Sequence, residues 1–252
     1  MNTHTRLFCL VILAMAAPGL AVAAAPALEC RLQPAKPIPR DVLTNGFFEA
    51  HPDLRWRGHA LGLYREGKYA QALRSFRTAA LYADKFSQSM VARMYWQGVG
   101  TAVDRPLAYA WMDLAAERMY HDFLRQRELY WEQLDETERA QAVHRGQAVY
   151  ARFGDAQAKP RMERKLRQGL GQITGSRTGH ISPGLMVASR SGPDAMPGLV
   201  TPQVPAQLVY DKAWWDPQRY WCNQDAFWAR PLDASVEVGE LEQLPNVPPA
   251  AK

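Results

Sequence analysis

The chain lacks the residue constellations that most hydrolytic and metal chemistry needs. Its histidines beyond the N-terminal stretch are His51, His59, His121, His144 and His180. None forms the H-x-x-x-H or H-E-x-x-H pattern that sets two imidazoles on one helical face for zinc. There is no P-loop, no nucleophile elbow and, past the N-terminal stretch, no Ser-x-x-Lys pair, so the motif-level routes to phosphoryl transfer and to an activated serine are missing. Cysteine is scarce, at Cys9, Cys30 and Cys222, without metal-ligand spacing. His121-Asp122 is the nearest approach to a catalytic pair, but adjacent residues point to different sides of a helix. They read as solvated groups at a helix start. The expectation is a non-enzyme with no catalytic residue, no metal and no cofactor.

A strong charge of one sign is also missing. The chain carries 30 basic and 25 acidic residues, a mildly basic balance that does not match a dedicated nucleic-acid binder. A basic face would instead meet an acidic protein or an anionic envelope polymer, or simply water.

Long apolar runs are confined to the N-terminus. Arg6 precedes the apolar run of residues 7–17, Pro18-Gly19 breaks it, and Ala21-Val22-Ala23 satisfies the small-x-small rule. Residues 1–23 therefore read as a cleaved secretory signal of bacterial style, which directs the chain to the periplasm or outside the cell. No transmembrane segment then remains. An uncleaved anchor is the alternative, since the apolar stretch through Leu28 approaches spanning length. Cleavage removes Cys9 and Arg6 and leaves a net charge of +4, from 29 basic and 25 acidic residues. The two remaining cysteines then sit in an oxidising compartment, where a Cys30–Cys222 disulfide would tie the mature N-terminus to the far C-terminal segment. Two free thiols are the outcome if the chain never meets an oxidant.

What is present is a helical pattern written twice over residues 57–120. Tyr64 and Gly67 recur as Tyr95 and Gly98, and Ala72, Ala79 and Ala80 recur as Ala108, Ala115 and Ala116. Small residues at helical spacing let two helices approach closely, while Tyr64, Phe76, Tyr95 and Trp111 fill the remaining space. Gly67 and Gly98 stand where the first helix of each pair should stop in a left-handed residue. Asp104 and Pro106 supply a capping oxygen and a fixed φ for the next helix. The second copy, with Ala92, Tyr95, Gly98, Gly100, Asp104, Ala108, Trp111, Ala115 and Ala116, resembles the Sel-like (Sel-one-like) repeat, a branch of the tetratricopeptide repeats. The first copy lacks the Gly-x-Gly loop and the Asp, has Ser75 in place of Trp111, and is closer to an ordinary tetratricopeptide repeat. The resemblance implies a short α-solenoid that binds another protein.

The expected architecture is mainly α. Residues 24–46 form an extended lead-in and residues 47–169 the solenoid with its capping helices. One capping helix contains Phe123, Tyr130, Trp131 and Leu134. The next starts at a capping box of Asp135 and Glu138 and runs through Phe153. A further basic helix over residues 161–169 follows a Lys159-Pro160 break. Residues 170–207 are irregular and rich in Gly, Ser and Pro, and residues 208–244 form a Trp-rich segment packed back on the solenoid. Within it, residues 235–238 alternate like a short strand, and residues 245–252 are a disordered tail.

The candidate contacts for an envelope protein or peptide are Arg57, Arg65, Ser89, Arg93 and Gln97 on the first helices of the pairs. Trp214 and Trp215 are candidates of a second kind, because exposed tryptophan faces stack on sugar rings and would suit a peptidoglycan- or glycan-binding module. The competing reading packs them in the core, pinned by Cys222. Protein recovered from an exporting host should have a mass starting at Ala24 and no alkylatable thiol until reduction. An unprocessed mass with reactive thiols would remove both the export and the disulfide reading.

Overall fold

The computed structural model describes residue 30 and residues 34–171, 184–188 and 203–228, and the chain over these residues is mainly α-helical. The expected signal, the strand at residues 235–238 and the tail at residues 245–252 lie outside the described residues. After a 3-10 turn at Arg40–Val42, α1 spans Asn45–Ala50, α2 Pro52–Arg65, α3 Tyr69–Ala80, α4 Lys85–Gln97 and α5 Arg105–Ala115. A second 3-10 turn, Ala116–Arg118, leads to α6 (His121–Gln133), α7 (Glu136–Phe153) and α8 (Asp155–Gly171). The helix ends follow local chemistry. Gly67 and Gly98 have φ of 74° and 71°, the left-handed exit that lets the chain turn at once into the next element. Asp84, Asp104 and Asp135 each accept a backbone N–H of the helix they start, from Ser87, Leu107 and Glu138. Glu138 reaches back to the Asp135 N–H at 3.1 Å and closes the capping box.

Helix α2 packs on α3, and α4 on α5. The alanines at the contact, Ala72, Ala79, Ala80, Ala108, Ala115 and Ala116, are all buried, which brings the helices close around Phe76, Met94 and Trp111. Gly100 has φ of 74°, and a Cβ there would lie 2.5 Å from the Tyr69 carbonyl carbon. The loop between α4 and α5 therefore rests directly on the start of α3. Helix α7 covers α5, with Val149 and Phe153 buried and Phe153 packed on Trp111.

A second core gathers α1, α8 and the C-terminal segment around Phe47, Met162, Leu166, Trp214, Trp215 and Tyr220. Two sequence expectations are corrected here. Helix α8 is continuous through Pro160 instead of starting beyond it. Proline there removes one helical hydrogen bond, and the complete burial of Ala158, Met162 and Leu166 offsets the loss. The segment expected to be irregular contributes a two-stranded antiparallel ribbon, β1 (Met186–Ala188) with β2 (Gln203–Pro205), in which Val187 pairs with Val204. Val204 is buried, and this burial gives the short pair its register. Three short helices follow: α9 (Ala206–Val209), α10 (Lys212–Trp215) and α11 (Pro217–Trp228). Cys222 on α11 is bonded to Cys30 with their Cα atoms 4.8 Å apart. Lys36 then runs beside α11, donating its N–H to Asn223 Oδ1 at 2.7 Å and accepting from Asn223 Nδ2 at 3.0 Å.

The contact of α1, α8 and α10 is closed by an absent side chain. A Cβ at Gly169 would meet Ala50 Cβ and the Trp215 ring, each at 2.6 Å. Gly169→Ala should therefore cost about 1–3 kcal/mol by overpacking. At Gly62, where a Cβ meets nothing within 4 Å, the same change should instead stabilise by about 0.5–1 kcal/mol. Urea unfolding of both variants checks the opposite signs.

Candidate functional site

The sequence-predicted contact residues separate into an open group and a buried group. Arg65, Arg93 and Gln97 are exposed, and Arg65 Nε donates to Leu61 O of its own helix. Ser89 is 5% exposed and donates its hydroxyl to Phe86 O at 2.8 Å. Its inclusion with Arg93 and Gln97 is corrected. Residues four apart drift by about 40° around a helix, so two steps carry Ser89 onto the face that the rest of the protein covers. Trp214 and Trp215 are 0% and 4% exposed, and both indole N–H groups donate to Val209 O. They are core, and offer no free face for a sugar ring. Arg57 is corrected too, because it is half-buried in an ion pair: its Nη1 donates to Asp84 Oδ1 at 2.8 Å.

That pair belongs to a polar seam between the helical pairs and the C-terminal segment. The Tyr220 hydroxyl donates to Asp53 Oδ2, and the other oxygen, Asp53 Oδ1, is buried with no hydrogen-bond partner among the described residues. Burial, reinforced by Asp84, raises Asp53 to about 6 against the pull of Tyr220 and Arg57. His51 lies two residues away, fully buried, with Nδ1 2.8 Å from Phe47 O and Nε2 2.7 Å from Trp214 O. Its ring stacks on Phe47 at 3.8 Å. Burial lowers its pKa to about 4, although both carbonyls favour the protonated ring.

Beside this lies a fuller cluster. Lys85 Nζ, 1% exposed, reaches Glu117 at 2.7 Å, Leu114 O at 3.0 Å and Asp155 at 3.1 Å. Arg118 forks onto both Asp155 oxygens at 2.6 and 3.0 Å. Burial raises Asp155, but Arg118 and Lys85 outweigh it and hold its carboxyl well below the usual range. Helix α11 joins this cluster through Trp221, whose ring lies 4.7 Å from Arg118, and through Asp225, which accepts from Tyr120.

Sequence reasoning missed a groove of about 350 Å³ between the lead-in, α1, α2 and α11. Its apolar lining is Ile38, Leu43, Phe48, Leu54, Leu61 and Phe227. Residues 36–61 supply three of its sides and the distant α11 the fourth, so no local pattern reveals it. One signal was available: Gly58 sits on a helix between Leu54 and Leu61, where a missing side chain leaves an opening. Among the described residues no group of three or more His, Cys, Asp and Glu forms a metal-binding cluster. No described helix is long and apolar enough to cross a membrane.

The two buried titrations have opposite signs. Asp53, raised above its unfolded value, contributes stability as pH falls from about 6 to 3.8. His51, lowered, loses stability as pH falls from 6.5 to about 4. Asp53→Asn removes only the first effect. Relative to the parent, the variant should lose up to about 3 kcal/mol between pH 7 and pH 4, read from urea midpoints. A stability difference independent of pH would show that Asp53 titrates normally.

Compared with family models, curated proteins and solved structures, the chain finds no match, so its functional reading rests on its own residues.

Proposed function

We propose that this protein is an exported scaffold of the Sel-like type, a short α-solenoid that holds another envelope protein or peptide on the first helices of its pairs. The reading is supported by a likeness between α2/α3 and α4/α5. Each first helix ends at a left-handed glycine, and each second helix buries alanines at matching positions. Such pairs bury a continuous core by stacking and leave their first helices free to line a binding face. In this reading α6 and α7 cap the stack.

The C-terminal segment narrows the face that remains. Trp228 stacks on Phe86 of α4 at 5.9 Å and meets Phe123 of α6 at 5.5 Å, so the start of α4 is covered by the chain itself. The open part lies toward the helix ends, where Arg65, Arg93 and Gln97 stand. A partner with acidic groups opposite Arg65 and Arg93 fits this face through docking, without a cofactor and without nucleic acid. The glycan-binding alternative loses its platform with the burial of Trp214 and Trp215.

A photo-crosslinking amino acid placed at Arg93 in the exported protein should give a discrete protein adduct. The adduct should disappear when Arg65 and Gln97 are changed to Glu, and should be absent from a probe at Val143, which is 59% exposed on α7. Identical adduct patterns from both positions would remove this face as the binding site. Retention on isolated peptidoglycan would favour the glycan reading instead.

A further inference from the structure

Helix α11 points at the face that the first helices leave open. It runs beside α2 in the same direction: Tyr220 meets Asp53 near the start of α2, and Phe227 lines the groove with Gly58 and Leu61 further along. Helix α4 shares that direction. Its capping Asp84 bonds Arg57, and the loop after it rests on Tyr69, just beyond the end of α2. At the last turn of α11, Trp228 stacks on Phe86 of α4. The axis of α11 is therefore aimed at the ends of α2 and α4, where Arg65, Arg93 and Gln97 stand exposed.

This face and the sequence that follows α11 are opposite in charge. Across α2 and α4 the one acidic residue is Asp53, which is buried under Tyr220. Arg65 and Arg93 make no ion pair among the described residues, and the adjacent Glu66 is held by Lys68 at 2.8 Å. Two exposed cations without carboxylates are one half of an electrostatic contact. Residues 231–251 carry the other half in Asp233, Glu237, Glu240 and Glu242, with no lysine or arginine among them. Reach is sufficient as well. Arg93 lies seven residues beyond Phe86, about 10 Å along α4. Asp233 lies five residues beyond Trp228, up to about 17 Å of extended chain.

We propose that residues 231–242 occupy the Arg65–Arg93 face of their own molecule, with Asp233 and Glu237 opposite the two guanidinium groups, as a built-in competitor for the partner. The competition rests on the reading of this face given above; the contact itself does not. A segment tethered this closely has an effective concentration of about millimolar, so weak, exposed ion pairs suffice to seat it. A second copy of the chain lacks that tether and is the poorer occupant. A partner with more acidic groups or a larger contact area displaces the segment.

The test places a benzophenone amino acid at Val236 of the full, disulfide-bonded chain. Illumination should give an intramolecular adduct on α2 or α4, located by peptide mass, with a yield independent of protein concentration. Arg65→Glu with Arg93→Glu should lower the yield about 5-fold, the loss of two exposed ion pairs. Adding Asp233→Arg with Glu237→Arg to that variant should restore it, a rescue that a misfolded chain cannot give. Adducts elsewhere alone, a yield unchanged by charge reversal, or absence of rescue would overturn the contact. So would an intermolecular adduct that rises with concentration, which assigns the face to a second copy. In the exporting host, Asp233→Asn combined with Glu237→Gln, Glu240→Gln and Glu242→Gln should raise the partner adduct of the probe at Arg93 several-fold, and an unchanged yield overturns the competition. An adduct from Val236 with no partner adduct from Arg93 in either chain sinks the scaffold reading and leaves the contact standing. A partner adduct without one from Val236 does the reverse.

Discussion

The structure depends on one buried charge cluster, in which Lys85 and Arg118 converge on Asp155 with Glu117 beside them. Lys159 adds a third, partly exposed cation 3.3 Å from Asp155, so both carboxylates are fully compensated and the desolvation of each is met by direct partners instead of water. Such clusters add little net stability compared with a well-packed apolar replacement, but removing a single member strands the others and costs several kcal/mol. Position gives this one its importance. It joins α4, the 3-10 turn before α6 and the first residue of α8, and it offers Arg118 to the Trp221 ring of α11. One arrangement of the C-terminal segment satisfies all of these groups.

The seam has a specific composition for a physical reason. Two cores, one around Phe76 and Trp111 and the other around Phe47 and Trp214, meet where the helix starts of α4 and α8 leave unpaired N–H groups. Asp84 accepts the Ser87 N–H at the first, and Asp155 stands at the second, where its own N–H donates to Glu117. Their counter-charges, Arg57 on one side and Lys85 with Arg118 on the other, come from neighbouring elements. Capping chemistry, which is local, is thereby converted into contacts between distant parts of the chain.

The helical body was legible in the sequence to the extent that its signals are local. Gly67, Gly98, Asp104, Asp135 and Glu138 act where the pattern places them, and the alanine spacing identifies the buried faces. Pro160 misled because a local rule was applied where tertiary burial of Met162 and Leu166 decides. Ser89 misled because four-residue spacing was treated as exact alignment. Lys85 carries no sequence signal at all. It reads as an ordinary solvated lysine, and only the convergence of α4, α5 and α8 removes it from water. The ribbon of β1 and β2 is too short for periodicity, and the groove draws on segments that no window covers.

The link between Cys30 and Cys222 spans 192 residues, and this separation orders events in time. Contacts within and between neighbouring helices α2 to α7 are short in sequence and form quickly, whereas the second core waits for partners from both ends of the chain. Cys30 is among the first described residues to be synthesised and Cys222 among the last. The lead-in therefore remains unfastened until Cys222 has been made. The helical body is complete before its clasp exists, and the clasp closes on a surface that is already finished.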